Sequence, residues 1–128
     1  MTKQAQRNME VAQRLYMGDE SERSVIAQNV VWHVPGQNPV SGDYHGFQEY
    51  ITLLPSRMAP LTKWDFTLEE VMVNGNLAMT LFRVQGERKG KQIDMRAGHL
   101  MRISEDGMIV EGWSFSNDQD RLDDFFST

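Results

Sequence analysis

A histidine within an otherwise apolar stripe is the most informative candidate for chemistry in this chain. Alternation along a β-strand places six side chains on one face: Ile93, Met95, Ala97, His99, Met101 and Ile103. His99 is the only polar member, so its imidazole must either pair within a core or line a cavity. Because imidazole titrates near neutral pH, His99 is a candidate general base or hydrogen-bond donor in a ligand site.

His33 is the second candidate, on a short predicted strand that covers residues 30–34 and ends at Pro35. We expect His33 and His99 to point into the same cavity, where one removes a proton next to a carbonyl and the other donates to the developing oxyanion. The alternative for His33 is a solvent-exposed strand end. His33, His45 and His99 show no close ligand spacing, so we expect neither a metal nor a cofactor.

Two hairpin turns predict what lies opposite His99. Asp106-Gly107 pairs the following strand so that Ser114 faces His99, and Lys89-Gly90 pairs the preceding strand so that Thr80 faces it. In the alternative interpretation, His99 is a core residue bonded to Thr80 or Ser114. The same counting sets Arg83 against Arg96, which is unfavourable unless Asp94 or Glu111 intervenes.

Composition bounds the class of protein. At 128 residues the sequence predicts a single domain over 1–128, with room for a core. A net charge of −5 argues against nucleic acid or an anionic membrane surface as a partner. The absence of cysteine excludes disulfides and a thiol nucleophile and favours a cytoplasmic protein. The nine methionines are typical of residues that fill gaps in a hydrophobic core, and they also suit a pocket that accepts varied ligands.

Helices are predicted first and long strands later, which indicates an α+β fold. An amphipathic helix is expected over residues 4–17, followed by a second through Ala27 that is capped by Asp19 and Glu22. Residues 35–46 are expected to be a loop, and residues 47–54 a helix broken near Pro55. A strand with a bulge near Glu69-Glu70, a turn at Asn74-Gly75 and a last helix over 118–126 complete the prediction.

These elements predict a cone: a strongly bent antiparallel sheet wrapped around the N-terminal helices, with one wide end open. The outer face of this sheet carries Leu100, Trp113 and Phe115, more apolar surface than a sheet leaves in water. We therefore expect a homodimer through that face.

Three segments resemble the nuclear transport factor 2 superfamily, in its SnoaL-like polyketide cyclase and ketosteroid isomerase-like branch. They are residues 30–36 (VVWHVPG), 41–46 (SGDYHG) and 99–113 (HLMRISEDGMIVEGW). The resemblance implies a cystatin-like α+β roll with a pocket between the helices and the inner face of the sheet. Because this fold hosts many activities, the resemblance specifies the fold better than the chemistry.

Steroid isomerases of that superfamily use a carboxylate base on the first strand, plus a tyrosine and a neutral aspartic acid that donate to an enolate. The resemblance aligns His33 with the base, Val11 with the tyrosine and His99 with the aspartic acid. Its polyketide cyclases pair a histidine with an acid on the next strand, which here are His99 and Ser114. The known mechanisms are thus not inherited intact.

We therefore expect a pocket for an apolar, carbonyl-bearing small molecule, with His33 and His99 catalytic in a cofactor-independent isomerase or cyclase. The residues expected to bind the ligand are Val11, Leu15, Tyr16, Tyr50, Leu54, Thr80, Phe82, Met101 and Ser114. The alternatives are a non-catalytic ligand-binding or accessory protein, and a structural domain whose cavity is filled by its own methionines.

Overall fold

The computed structural model describes residues 1–18 and 20–128. Its helices are α1 (Lys3–Arg14), α2 (Glu20–Ser24), α3 (Leu54–Met58) and α4 (Gln119–Phe125), and a π-helical segment, Glu49–Leu53, runs into α3. Its strands are β1 (Ile26–Val34), β2 (Gly42–His45), β3 (Leu61–Asn74), β4 (Leu77–Arg88), β5 (Lys91–Ile103) and β6 (Ile109–Ser116). No helix in the described ranges is both long and apolar enough to cross a membrane.

The six strands form one sheet in the order β2-β1-β6-β5-β4-β3. All neighbours are antiparallel except β1 and β6, which run parallel. The predicted α+β cone is therefore confirmed; its sheet, predicted to be antiparallel, is mixed, because β1 and β6 run parallel. The β1–β6 pair joins the first strand of the chain to the last, and no local turn signal can predict such a pairing.

The helices cover the inner face of the sheet. Val11, Ala12 and Leu15, from α1 and its C-cap, pack with Met101 and Ile103 of β5 in one core cluster. A second cluster joins Phe82 and Val84 of β4 to Phe125 and Phe126 at the end of α4. The remaining space between these two clusters is the cavity described below.

The register around His99 is as predicted. Thr80 pairs with His99 across β4 and β5, and Ser114 pairs with it across β5 and β6. The turn at Lys89-Gly90 has both residues at positive φ, the geometry that a two-residue hairpin requires. The bulge of β3 lies between Leu68 and Glu70, where the change of alternation places it.

Several element boundaries differ from the prediction. Helix α2 ends at Ser24, and residues 26–29 belong to β1. The expected loop over 35–46 contains β2, and the hairpin after β3 turns at Gly75-Asn76, one residue later than predicted. The Asp106-Gly107 loop is longer than two residues, because a register shift after Arg102 pairs Ile103 with Ile109. Asp19, the predicted cap of α2, lies outside the described residues.

Arg83 and Arg96 face each other across β4 and β5 on the outer face, and each has a carboxylate beside it. The guanidinium of Arg83 binds Asp94, as predicted, while that of Arg96 binds Glu69 with a closest distance of 2.8 Å. Each arginine thus has its own carboxylate, which removes the like-charge conflict between the two strands.

Candidate functional site

A cavity of about 540 Å³ lies between the helices and the inner face of the sheet. Most of the side chains that line it are aliphatic or aromatic, contributed by the turn after α1, by α2, α3 and α4, and by strands β1, β3, β4, β5 and β6. The size and the apolar lining are those of a site for a small organic molecule. What distinguishes the cavity is a small polar group set into this lining.

The polar group is a chain of three side chains, Thr80, Tyr16 and His99. The Tyr16 hydroxyl lies 2.7 Å from His99 Nδ1 and also contacts the Thr80 hydroxyl. Tyr16 lies just beyond the C-cap of α1, while Thr80 and His99 are neighbours on β4 and β5. The turn after α1 therefore brings the phenol onto the strand pair that carries the histidine.

Aromatic rings hold the His99 imidazole in place. Its centroid lies 4.9 Å from that of Phe82, 5.0 Å from Trp32 and 5.8 Å from Tyr16, the last in a stacked arrangement. Burial among these rings lowers the pKa of His99 to about 3, because the charged form loses its hydration. His99 is therefore neutral at physiological pH.

A neutral imidazole carries one hydrogen, and the contacts allow two arrangements of it. If Tyr16 donates to Nδ1, then Nε2 carries the hydrogen and is a donor. If Nδ1 donates to Tyr16, the phenol donates to Thr80 and Nε2 is an acceptor. Within the described chain Nε2 has no hydrogen-bond partner and is not sealed from solvent, so it is the atom that His99 offers to the cavity.

The two tyrosines of the cavity are also neutral. Burial raises the pKa of Tyr16 and that of Tyr50 well above the ordinary value, and the negative charge of Glu22 raises both further. The Tyr50 ring is tilted against that of Trp32, with centroids 5.2 Å apart, and its hydroxyl makes no hydrogen bond with any described residue. The phenol of Tyr50 is thus a second polar atom available to a ligand.

Formal charge at the cavity comes from α2 in the described part of the chain. Glu22 and Arg23 both border the cavity, next to Tyr16 and Ile26 in the lining. Among the described lining residues Glu22 is the only carboxylate. Sequence reasoning used Glu22 solely as part of a helix cap; the signal that it lies at the cavity is its place on α2, the helix that follows Tyr16.

The structure brings most of the predicted ligand-binding residues together. Those that line the cavity are Leu15, Tyr16, Tyr50, Leu54, Phe82 and Ser114. Val11 and Met101 do not; they are fully packed in the core between α1 and the sheet. Thr80 is completely buried beneath Tyr16 and reaches the cavity only through that hydroxyl.

The hydrogen-bond partner of His99 differs from both predicted ones. Ser114 faces His99 in the register, but its hydroxyl accepts a hydrogen bond of 2.9 Å from the Trp32 indole. Thr80 binds Tyr16 instead of His99. Val11, which the resemblance aligns with the isomerase tyrosine, is packed in the core, and the phenol that reaches His99 is Tyr16, five positions later and beyond the end of α1.

His33 does not lie in the cavity, and the prediction that it shares one with His99 is wrong. The parallel register pairs Trp32 with Gly112 and His33 with Trp113. Gly112 leaves the space that Trp32 fills on the inner face, since a Cβ there would lie 2.2 Å from the indole ring. His33 consequently points to the outer face, where it stacks on Trp113 with ring centroids 5.4 Å apart.

On the outer face, His33 is held between two carboxylates. Its Nδ1 lies 2.7 Å from Asp43 of β2, and its Nε2 lies 2.7 Å from Glu111 of β6. Hydrogen bonding to Glu111 and then to Asp43 raises the pKa of His33, which favours the imidazolium. His33 therefore joins three strands through one hydrogen bond to a carboxylate on each side. No group of three or more described His, Cys, Asp or Glu side chains is arranged to hold a metal ion.

Solved structures with the same fold cover nearly the whole chain. Bal32a, from a soil-derived mobile gene cassette, is 21% identical over 97% of this chain and 99% of its own, with a TM-score of 0.85. A putative SnoaL-like polyketide cyclase from Jannaschia sp. CCS1 is 14% identical over 100% and 97%, with a TM-score of 0.81. IdmH, a putative polyketide cyclase from Streptomyces antibioticus, is 21% identical over 90% and 95%, with a TM-score of 0.69.

Similarity at these identities establishes the fold and leaves the activity open. Comparison with curated proteins gave no match. The model of the SnoaL-like domain matches residues 20–112, which is most of the chain and includes β1, β5 and the start of β6. The chain therefore belongs to the SnoaL-like domain family.

Proposed function

We propose that this chain binds an apolar, carbonyl-bearing small molecule in the cavity, with the carbonyl oxygen accepting a hydrogen bond from His99 Nε2. The observation that carries the proposal is the neutral His99, which Tyr16 fixes at Nδ1 and whose Nε2 has no hydrogen-bond partner among the described residues. This atom favours a ligand that pairs with it, because a ligand that displaced water from Nε2 without a hydrogen bond would leave it unsatisfied, at a cost of about 1–3 kcal/mol.

The lowered pKa of His99 supports a role as hydrogen-bond donor. With its pKa lowered to about 3, the imidazole is uncharged at neutral pH and keeps one hydrogen that it can donate. As a neutral donor, it stabilises the negative charge that develops on a carbonyl oxygen during enolisation. Tyr16 and Thr80 behind it fix the ring, and Nε2 carries the hydrogen when Tyr16 donates to Nδ1.

The activity we propose is cofactor-independent proton transfer next to that carbonyl, in an isomerase or a cyclase. The similarity to proteins described as putative polyketide cyclases supports this class. The second candidate is a ligand-binding or accessory protein without turnover. It is favoured by the position of His33, since the pair of histidines expected to share the chemistry lies on opposite faces of the sheet.

A pair of ligands that differ only in the carbonyl tests the binding proposal. Tetrahydrophenanthrenone and its parent hydrocarbon, tetrahydrophenanthrene, are titrated against the chain, using the fluorescence of Trp32 and Trp64 in the cavity wall. We expect the ketone to bind about five- to tenfold more tightly, the value of one net hydrogen bond. His99→Phe should abolish the difference, and His33→Gln, on the outer face, should retain it. Equal affinities in the wild type would contradict the proposal.

A further inference from the structure

Proton transfer at this cavity requires a base, and the lining residues offer few. The polar or charged side chains in the lining are Tyr16, Glu22, Arg23, Trp32, Asn38, Tyr50, His99, Ser114 and Gln119. Arginine is permanently protonated, and amide, indole and hydroxyl groups do not take up protons at neutral pH. Both phenols are held neutral. In the proposed function His99 has no nitrogen left for the carbon, since Tyr16 holds Nδ1 and Nε2 donates to the carbonyl oxygen. Among the described lining residues, this elimination leaves one acceptor, the Glu22 carboxylate on α2.

We infer that Glu22 is the catalytic base of this site: its carboxylate borders the same cavity as His99 and takes the proton from the carbon next to the bound carbonyl. The inference rests on the proposed function, because it needs the ketone oxygen at His99. It assigns the two halves of enolisation to different elements, α2 for the proton and β5 for the oxygen.

The surroundings of Glu22 agree with this position. Its charge acts on the hydroxyls of both Tyr16 and Tyr50, so the carboxylate lies near the two phenols that flank His99 and Trp32. Glu22 is half-buried, whereas Glu20, two residues earlier on the same helix, is exposed and does not border the cavity. Residues two apart on a helix face different directions, so the two acids have different surroundings.

The proposed step balances without a cofactor. The C–H bond next to the carbonyl breaks, its proton passes to a Glu22 oxygen, and the electron pair forms the enolate, whose oxygen accepts from His99 Nε2. Return of the proton to a different carbon of a conjugated ligand completes an isomerisation. Alternatively, the enolate carbon attacks a second carbonyl carbon, and Glu22 returns the proton to the new alkoxide, which completes an aldol cyclisation.

Exchange of the protons next to the carbonyl of tetrahydrophenanthrenone in heavy water, followed by proton NMR, tests the inference. We expect wild-type chain to accelerate exchange over buffer. Glu22→Gln should lower the rate by about 100-fold or more while the ketone still binds. Glu20→Gln is the matched control, with the same change of charge on the same helix, and should keep the wild-type rate.

Exchange that persists in Glu22→Gln would overturn the inference, as would a wild-type chain that binds the ketone without exchange. Both results leave the binding proposal intact, whereas loss of the preference for ketone over hydrocarbon counts against the binding proposal itself.

The pH dependence of exchange in the wild type tests the inference without relying on a variant that could misfold. Its rate should follow the ionisation of one carboxylate and stay level through neutral pH; a rate that still rises above neutral pH would overturn the inference.

Discussion

Tyr16 and His99 lie 83 positions apart in the sequence and share a hydrogen bond of 2.7 Å at the wall of the cavity. The phenol fixes one ring nitrogen of the histidine, and the other nitrogen is left for a ligand. This relationship turns a buried core-like histidine into a polar contact point with a defined direction. It also makes the first helix and the central strands of the sheet depend on each other.

Removal of the Tyr16 hydroxyl should destabilise the fold. Tyr16→Phe leaves Thr80 and His99 Nδ1 without their partner, and an unsatisfied buried polar group costs about 1–3 kcal/mol. Tyr50→Phe is the matched control, since that hydroxyl has no partner among the described residues, and should change the free energy of unfolding by less than about 0.5 kcal/mol. Urea denaturation of both variants measures the difference. Equal effects would contradict the role given to Tyr16.

The neutral His99 should make the protein sensitive to acid. Its pKa is about 3 in the folded chain, and a histidine in the unfolded chain titrates near 6.5, so the unfolded state binds more protons between these values. Stability should be full above about pH 6.5 and fall as the pH drops, by up to about 1.4 kcal/mol per pH unit. His99→Phe should lack this loss between about pH 6.5 and 5, above the range in which carboxylates titrate. Parallel pH profiles of the two proteins would refute the assignment.

His33 should give the opposite pH dependence. Glu111 and Asp43 raise its pKa in the folded chain. Its contribution to the free energy of unfolding is therefore complete below about pH 6.5, the pKa of histidine in the unfolded chain, and is lost as the pH rises through the folded pKa. Because the three side chains are partly exposed, we expect a contribution of about 1 kcal/mol. Denaturation in mildly alkaline buffer should show this loss in the wild type and in His45→Gln, an exposed histidine on β2. A loss of the same size in His33→Gln would show that His33 is not its source.

The outer face carries a continuous apolar row. Met72, Met79, Leu100 and Trp113 are neighbours across β3, β4, β5 and β6, and Phe115 packs over Gly98 beside them, at the edge of the cavity. We propose that a second copy of the chain covers this row, because monomers rarely leave such a patch in water.

Sedimentation of the wild type should then give the mass of a dimer. Leu100→Lys should give that of a monomer, because a charge in the centre of an apolar interface is costly. Met17→Lys adds the same charge at an exposed apolar residue after α1 and should leave the mass unchanged. A wild type that sediments as a monomer would contradict the proposed dimer.

The register around His99 could be predicted because its signals are local. Alternation along β5 and the turn at Lys89-Gly90 fix Thr80 opposite His99, and pairs such as Arg102 with Glu111 select the correct register of β6. The fold class followed from the same strands together with the resemblance. These features depend on residues that are close in sequence or joined by one hairpin.

The contacts that decide the chemistry are not local. Which face His33 occupies depends on the parallel pairing of β1 with β6, and the cue that was available is Gly112, whose missing side chain makes room for Trp32. The partner of His99 depends on where the chain turns after α1, since α1 ends at Arg14 and Tyr16 then reaches the sheet. Sequence patterns predict the stripe that contains His99 and do not predict which side chain approaches it from another element.

The central claim is that neutral His99 presents Nε2 to a carbonyl ligand, and nitrogen NMR of the chain with labelled histidine tests it most directly. His99 should show the signals of a neutral ring from about pH 8 down to about pH 5, while free histidine titrates near 6.5. Tetrahydrophenanthrenone should shift the Nε2 signal, and tetrahydrophenanthrene should leave it nearly unchanged. A His99 that titrates near 6.5, or a Nε2 signal that responds equally to both molecules, would contradict the account.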